Sequence, residues 1–274
     1  MKSFKLYLPL ACLFLSSVAL AQPSPGTRPG FFQKLNVTAG AGISNYYGDL
    51  TENAHWWNQS SFAVSAGLSY PIINHINARM DLSYMKLQGD DAKNSKPQYI
   101  ARNLNFKSFV WDASLAVEFE AVNFFRNRFG PYAFAGFGAF YFNPYSRDAN
   151  GYKQFLQPLG TEGQGLTAYP DRKMYKRVQT EIPIGGGLKW KCKRATMALE
   201  FKYRKTNTDY IDDVSRLGYP DKALLDARNP RTASFTWRSP TGDPYPASNS
   251  KLNRGDPKKN DAFYTTEIKV AFRL

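Results

Sequence analysis

The last eleven residues of the chain alternate. Tyr264, Thr266, Ile268, Val270, Phe272 and Leu274 are apolar or able to face lipid, and Thr265, Glu267, Lys269, Ala271 and Arg273 between them are polar, charged or small. A period of two puts the two sets on opposite faces of a strand. Seven earlier segments repeat the pattern. Their apolar sets are Leu35–Ile43, Phe62–Tyr70, Ile76–Tyr84, Phe109–Phe119, Ile182–Trp190 and Met197–Tyr203, taken at every second position, together with the aromatic run Tyr132–Phe142. The fourth is the cleanest, with Trp111, Ala113, Leu115 and Val117 set against Asp112, Ser114, Glu118 and Glu120. Tyr132–Phe142 is apolar on both faces, and Gly136 and Gly138 leave its facing open.

The connections sort by length. Tyr70–His75, Val122–Pro131 and Lys191–Ala195 are short; Tyr46–Ser61, Leu87–Phe106, Tyr145–Val178 and Lys205–Ala262 are long. Short periplasmic turns facing long external loops are the habit of bacterial barrels with an even strand number. The predicted class is therefore all-β: an eight-stranded antiparallel transmembrane β-barrel with long external loops over residues 34–274, both ends periplasmic, in the outer membrane.

The N-terminus adds an address. Lys2 and Lys5 precede an apolar run, Leu6–Leu20, and Ala19-Leu20-Ala21 reads as a cleavage site. Residues 1–21 are expected to be a cleaved signal peptide, and the Pro- and Gly-rich stretch 22–33 a periplasmic lead-in. Cys12 lies inside the apolar run, which continues past it, so a lipoprotein is not expected. Without the signal peptide only Cys192 remains, and a fold stapled by an internal disulfide is excluded. Aromatics are 15% of the chain while mean hydropathy is −0.47, as alternation requires. The net charge of +14, of which Lys2 and Lys5 supply two, would suggest nucleic acid in a cytosolic protein. Behind a signal peptide it points instead to lipopolysaccharide, other envelope polyanions or acidic protein partners.

Inward positions carry both signs: Arg79, Asp81, Asp112, Glu118, Glu120, Glu181, Lys189, Glu200, Lys202, Arg204, Glu267, Lys269 and Arg273. Eight strands enclose a bore that side chains can fill, so a plug of ion pairs is expected rather than a channel. Catalysis finds little support. The histidines are two, His55 beside Trp56 and Trp57 in an outer loop and His75 in a periplasmic turn, at opposite ends of the barrel. They cannot share an acid–base site. No cofactor is implied.

The long loops carry motifs that an apolar pattern does not dictate. Tyr47-Gly48-Asp49-Leu50 follows the first strand, and Arg102-Asn103-Leu104-Asn105-Phe106 enters the fourth. Phe142-Asn143-Pro144 ends the fifth, and Leu156–Gly165 reads L-Q-P-L-G-T-E-G-Q-G. Thr208-Asp209-Tyr210-Ile211-Asp212-Asp213-Val214-Ser215 follows the seventh, and Arg254-Gly255-Asp256 precedes the eighth. Gly160, Gly163 and Gly165 permit positive φ, and Thr161, Glu162 and Gln164 offer hydrogen-bonding groups, so this segment is expected to fold back over the barrel mouth. Asp209, Asp212 and Asp213 are expected to pair with Arg216 or other basic loop residues, or to be solvated. Calcium is the sharper alternative, without the full EF-hand spacing. Asp221–Arg228 reads as a short helix ending before Pro230. Arg254-Gly255-Asp256 matches an adhesion tripeptide, a pattern too short to carry weight.

From Asn36 onward these motifs resemble the PorG family, the small outer-membrane barrel of the type IX (Por) secretion system of Bacteroidetes. The resemblance implies a non-enzymatic component of a protein-export and gliding machine that associates with a periplasmic ring of PorK and PorN. It defines no contact residues. The basic periplasmic turns, with Arg126, Arg128, Lys193 and Arg194, are the candidate contacts on grounds of charge. The alternative is a barrel whose external loops bind lipopolysaccharide or an extracellular ligand.

Overall fold

The computed structural model describes residues 34–51, 59–122, 127–192, 195–248, 250 and 252–274. The signal-peptide and lead-in segments and His55 lie outside them. Ten strands form: β1 (Asn36–Tyr47), β2 (Ser61–Ile73), β3 (Ile76–Asp90), β4 (Asn105–Glu120), β5 (Phe129–Tyr141), β6 (Tyr145–Arg147), β7 (Lys153–Phe155), β8 (Val178–Lys191), β9 (Ala195–Thr206) and β10 (Ala262–Arg273). Eight of them pair in the order β3-β2-β1-β10-β9-β8-β5-β4, and β4 pairs back to β3. All these pairings are antiparallel, and the sheet closes into a barrel with no free edge. β6 and β7 are a small hairpin within the third long loop, joined to the wall through Lys107 and Tyr145.

The eight predicted segments are the eight wall strands, and their apolar sets face outward. Trp111 and Leu115 are 61% and 64% exposed, whereas Asp112 and Ser114 beside them are buried. β5 resolves the open case: Phe137 and Tyr141 point out, while Tyr132, Phe134 and Phe140 point in. Small residues on both its faces made the local pattern mute; its neighbours β4 and β8 decide the facing. An outward apolar wall around a polar interior has one stable environment, a membrane that closed barrels can cross. The protein is an outer-membrane β-barrel.

The lumen is filled in storeys. Arg79 lies at the centre of the lower one. Its Nε and Nη2 donate to Asp81 at 2.9 and 3.1 Å, its Nη1 to Glu118 at 3.1 Å and to Glu200 at 2.8 Å. Its guanidinium also lies over the Phe134 ring at 4.1 Å. Lys202 and Lys269 complete Asp81 at 3.1 and 3.3 Å, Lys269 reaches Glu200 at 2.9 Å, and Lys189 pairs with Glu118 and Glu120. Above it Arg204 pairs with Asp112 at 2.8 Å and donates to Thr265 and Ser83. Arg273, expected inside, is exposed, because β10 reaches the periplasmic rim there and the lumen ends. Over Arg204 comes an apolar storey that includes Met85, Leu87, Phe106, Val110, Phe140, Phe142 and Phe263.

The facing makes a direct prediction. Leu115→Arg puts a charge on the lipid side near mid-strand and should destabilise the inserted barrel by about 2–4 kcal/mol, read as loss of heat-modifiable folding in bilayers. Ser114→Arg should act instead by overfilling the lumen. Equal tolerance of Leu115→Arg would reverse the facing. Topology is checked separately: Tyr152→Cys, in the third long loop, should react with an impermeant thiol probe on intact cells, whereas the exposed Cys192 at the short-turn end should not.

Candidate functional site

The long loops close the external mouth with a buried polar roof, and the quoted motifs build it. Short elements position them. A single 3-10 turn (Asp91–Lys93) and α1 (Pro97–Arg102) lie in the second loop, α2 (Leu156–Leu159) in the third, and α3 (Lys222–Arg228) and α4 (Ala233–Thr236) in the fourth. α1 begins with Pro97 in its first turn and ends at Asn103, whose φ of 53° is the left-handed cap that Asn tolerates. α2 ends at Gly160 with φ 64°. α3 starts where the sequence places it, with the Asp221 carboxylate accepting from the Ala223 N–H at 2.7 Å.

Arg102 is 1% exposed. Its Nε and Nη2 form a fork on Asp91 at 2.7 and 2.8 Å, and its other donors reach the carbonyls of Asp49 and Arg254. Asn103 donates to the Arg238 carbonyl at 2.9 Å. One residue thus joins three long loops. A second joint is Glu162. Its Oε1 accepts from the Ser215 and Arg216 N–H groups at 2.9 and 2.8 Å and from Arg254 Nη1 at 2.6 Å. Gln164 accepts from the Glu162 N–H at 2.9 Å and, through its carbonyl, from Arg228.

The aspartates separate rather than converge. Asp213 accepts from Thr161 and, at 2.7 Å, from Tyr175. Asp212 accepts from the Tyr46 hydroxyl at 2.7 Å, and Asp261 shares that hydroxyl at 2.5 Å. Gly48 is required beside them, since a Cβ there would sit 2.0 Å from the Asp261 carboxylate and from the Tyr46 hydroxyl. Asp209 is 7% exposed, and among the described residues no donor meets its carboxylate in good hydrogen-bond geometry, the Ser215 side chain being near enough only to oppose the rise in its pKa. Tyr210 stacks on Tyr175 with centroids 4.7 Å apart. Of the expected outcomes, pairing with Arg216 and solvation do not occur, since Arg216 points outward to Asp171 at 3.5 Å and all three aspartates are buried by the loops packed over them, whereas the basic loop residue Arg254 does act on Asp213 through its charge. No group of three such side chains among the described residues is arranged to hold a metal ion.

Burial sets the electrostatics. Loss of solvent raises Asp209 to about 9, with the charges of Asp212 and Asp49 adding to it. Burial likewise raises Asp213 to about 7, against the opposing pull of Arg254 and the hydrogen bonds from Thr161 and Tyr175. Asp49 rises to about 6 and Asp212 and Asp261 rise well above the usual carboxylate range for the same first reason. At neutral pH burial keeps the Asp209 carboxyl protonated, while Asp49, at about 6, is mostly ionised.

Sequence reading missed several members. Tyr46, Asp91, Tyr175 and Asp261 carry no local signal, being single polar residues at strand or loop ends. Arg254, read as part of an adhesion tripeptide, is 1% exposed and donates to Glu162, Thr161 and the Asp213 carbonyl. Its guanidinium is not displayed. Of the periplasmic candidates Arg128 is exposed, while Arg126, Lys193 and Arg194 lie outside the described residues. At that end His75 is held with φ 72°, its Nδ1 2.7 Å from the Glu120 carbonyl. The recess under the roof, lined by Leu104, Ser146, Leu156, Asp212, Arg238 and Arg254 among others, has about 10 Å³ for the centre of a water-sized sphere. That holds about one water.

No protein-family model matches the chain, and no curated protein sequence does. Solved structures of small outer-membrane barrels are similar in shape. Neisserial surface protein A has 11% identity and a TM-score of 0.43, over 88% of this chain and 97% of that one. Ail, the attachment invasion locus protein of Yersinia pestis, has 9% identity and a TM-score of 0.40 over the same shares. The outer membrane enzyme PagL has 14% identity and a TM-score of 0.32, over 87% of this chain and 99% of that one. These likenesses assign no activity.

The raised carboxyl groups give the roof a pH dependence. A group whose folded pKa lies above its unfolded value contributes stability that is complete below the unfolded value, about 4 for Asp, and that is lost as pH rises through the folded one. The roof should therefore loosen between about pH 4 and the folded value of about 9 for Asp209. Limited proteolysis of the external loops in proteoliposomes should speed up from pH 6 to 9.5, and Asp209→Asn should flatten that slope. A slope of the opposite sign would refute the protonated roof.

Proposed function

We propose that this chain is a PorG-like, non-enzymatic component of type IX protein secretion and gliding machinery, docking a periplasmic ring of PorK and PorN to the outer membrane. The observation that carries the reading is the sealed barrel. Ion pairs fill the lumen, and the loop motifs that carry the family resemblance are spent on one another in the roof. A lumen filled by ion pairs supports action by contact over conduction of cargo. The motif residues would then hold the barrel in one rigid form and would not themselves touch the partner.

Contact at the periplasmic end favours an acidic partner, since Arg128 is exposed there and Arg126, Lys193 and Arg194 share its turns in sequence. His75 is engaged by the Glu120 carbonyl and stacks near Phe119.

Deleting the gene should block export of type IX cargo and leave the periplasmic ring unassembled, scored by secretion assays and ring co-purification. Reversing charge at Arg126, Arg128, Lys193 and Arg194 together should weaken co-purification at least several-fold while heat-modifiable folding persists. Full co-purification of the reversed protein would remove the basic turns from the mechanism. Normal export in the deletion strain would sink the secretion role and move function to the external loops.

A further inference from the structure

The outer end of the wall carries one continuous aromatic patch. Tyr84 lies 4.6 Å from Trp111, 5.8 Å from Phe109 and 6.0 Å from Phe62, centroid to centroid. Phe109 continues to Tyr145 at 6.4 Å, and Tyr145 to Phe155 at 6.3 Å. Aromatic rings at this level anchor a barrel at the membrane interface. The cations above them need a different account. Lys86 lies two residues beyond Tyr84 on the same face of β3, and Lys107 two residues beyond Phe109 on β4. The register, Lys86↔Phe109 and Gln88↔Lys107, makes the two lysines diagonal neighbours, close enough to repel one another. Lys107 is opposite Tyr145. Lys153 Nζ stands 3.9 Å from the Tyr145 centroid and 4.5 Å from that of Phe155.

Among the described residues none of these three lysines has an acidic partner within ion-pair distance. Asp90, the next acid along β3, accepts from the Ala92 N–H at 3.1 Å, and Asp148 in the hairpin accepts from Asn150, Tyr152 and Gln154. The grouping is local. Lys205, at the top of β9, has only Ala262 and Ile182 as register neighbours. Three cations with no acidic partner among the described residues, crowning an aromatic patch at the long-loop end of the wall, call for an amphiphile with phosphate at its head.

We propose that this patch binds one anionic glycolipid of the outer leaflet, a phosphorylated, acylated glucosamine disaccharide of the lipid A type. Its phosphates meet Lys86, Lys107 and Lys153, and its acyl chains lie along Tyr84, Phe109 and Trp111. The site depends on the orientation of the barrel in the membrane and not on any periplasmic partner.

The test uses the full mature chain, refolded in detergent and titrated with bisphosphorylated lipid A by native mass spectrometry. The triple variant Lys86→Gln, Lys107→Gln, Lys153→Gln should bind it at least tenfold more weakly than wild type, and Lys205→Gln should not differ from wild type. Dephosphorylated lipid A should bind wild type and the triple variant alike. Equal binding of the bisphosphorylated lipid by wild type and triple variant, both heat-modifiable, would overturn the site. So would inorganic phosphate alone displacing the lipid at equal concentration, which would make this an anion site without lipid selectivity. If the triple variant does not fold, the double variant Lys107→Gln, Lys153→Gln, at two exposed side chains, decides with the same outcomes.

Discussion

Charge inside a membrane must be paired, and this barrel is arranged around that requirement. An ion removed from water costs several kcal/mol even after relaxation, and one left without its partner destabilises a fold strongly. Arg79 meets the requirement by holding Asp81 on its own strand, Glu118 on β4 and Glu200 on β9 at once. Lys202 and Lys269 extend the same network to the other side of Asp81. The pairs form only if β3, β4, β9 and β10 keep their present register, because a one-residue slip would turn each charge toward lipid. The network therefore fixes the wall as well as filling it.

The roof follows the same logic in the loops. Loops that leave a plugged barrel have no lumen to line, and here they fold inward over an apolar storey of Phe106, Phe140, Phe142 and Phe263. Packing that closely strips water from their polar residues. Each stripped group then needs a partner inside the protein. Arg102 and Arg254 supply several of them, reaching carbonyls and carboxylates of different loops. Where no cation reaches, burial raises Asp209, Asp212 and Asp261, and the Tyr46 hydroxyl serves Asp212 and Asp261.

Ion pairs fill the bore and the loops pack over its mouth, so the contacts proposed for this protein lie on its surfaces. The periplasmic turns, the membrane-facing wall and the outer skin of the loops are what another molecule can touch. The motifs that draw attention in the sequence belong to none of these. They build an internal framework beneath these surfaces, joined to one another by buried ion pairs and hydrogen bonds.

The strand number, the facing of seven of the eight wall strands, the gathering of the long loops at one end and the mixed-charge lumen were legible in the sequence. Each depends on neighbours two residues apart, and the membrane imposes that period on every strand that crosses it. The turn glycines and the Asp221 helix start were legible for the same reason, as local backbone chemistry. The inward side of β5, the burial of Arg254, and the partners of Asp209, Asp212 and Asp213 were not. Tyr46 and Asp261 are 215 residues apart in the chain and share one hydrogen bond, and Arg254 and Glu162 are 92 apart. No local pattern records such pairs. Only closure of the barrel brings the four long loops to one mouth, and it is that meeting, with the loss of water it causes, that decides which polar residues become framework and which stay at the surface.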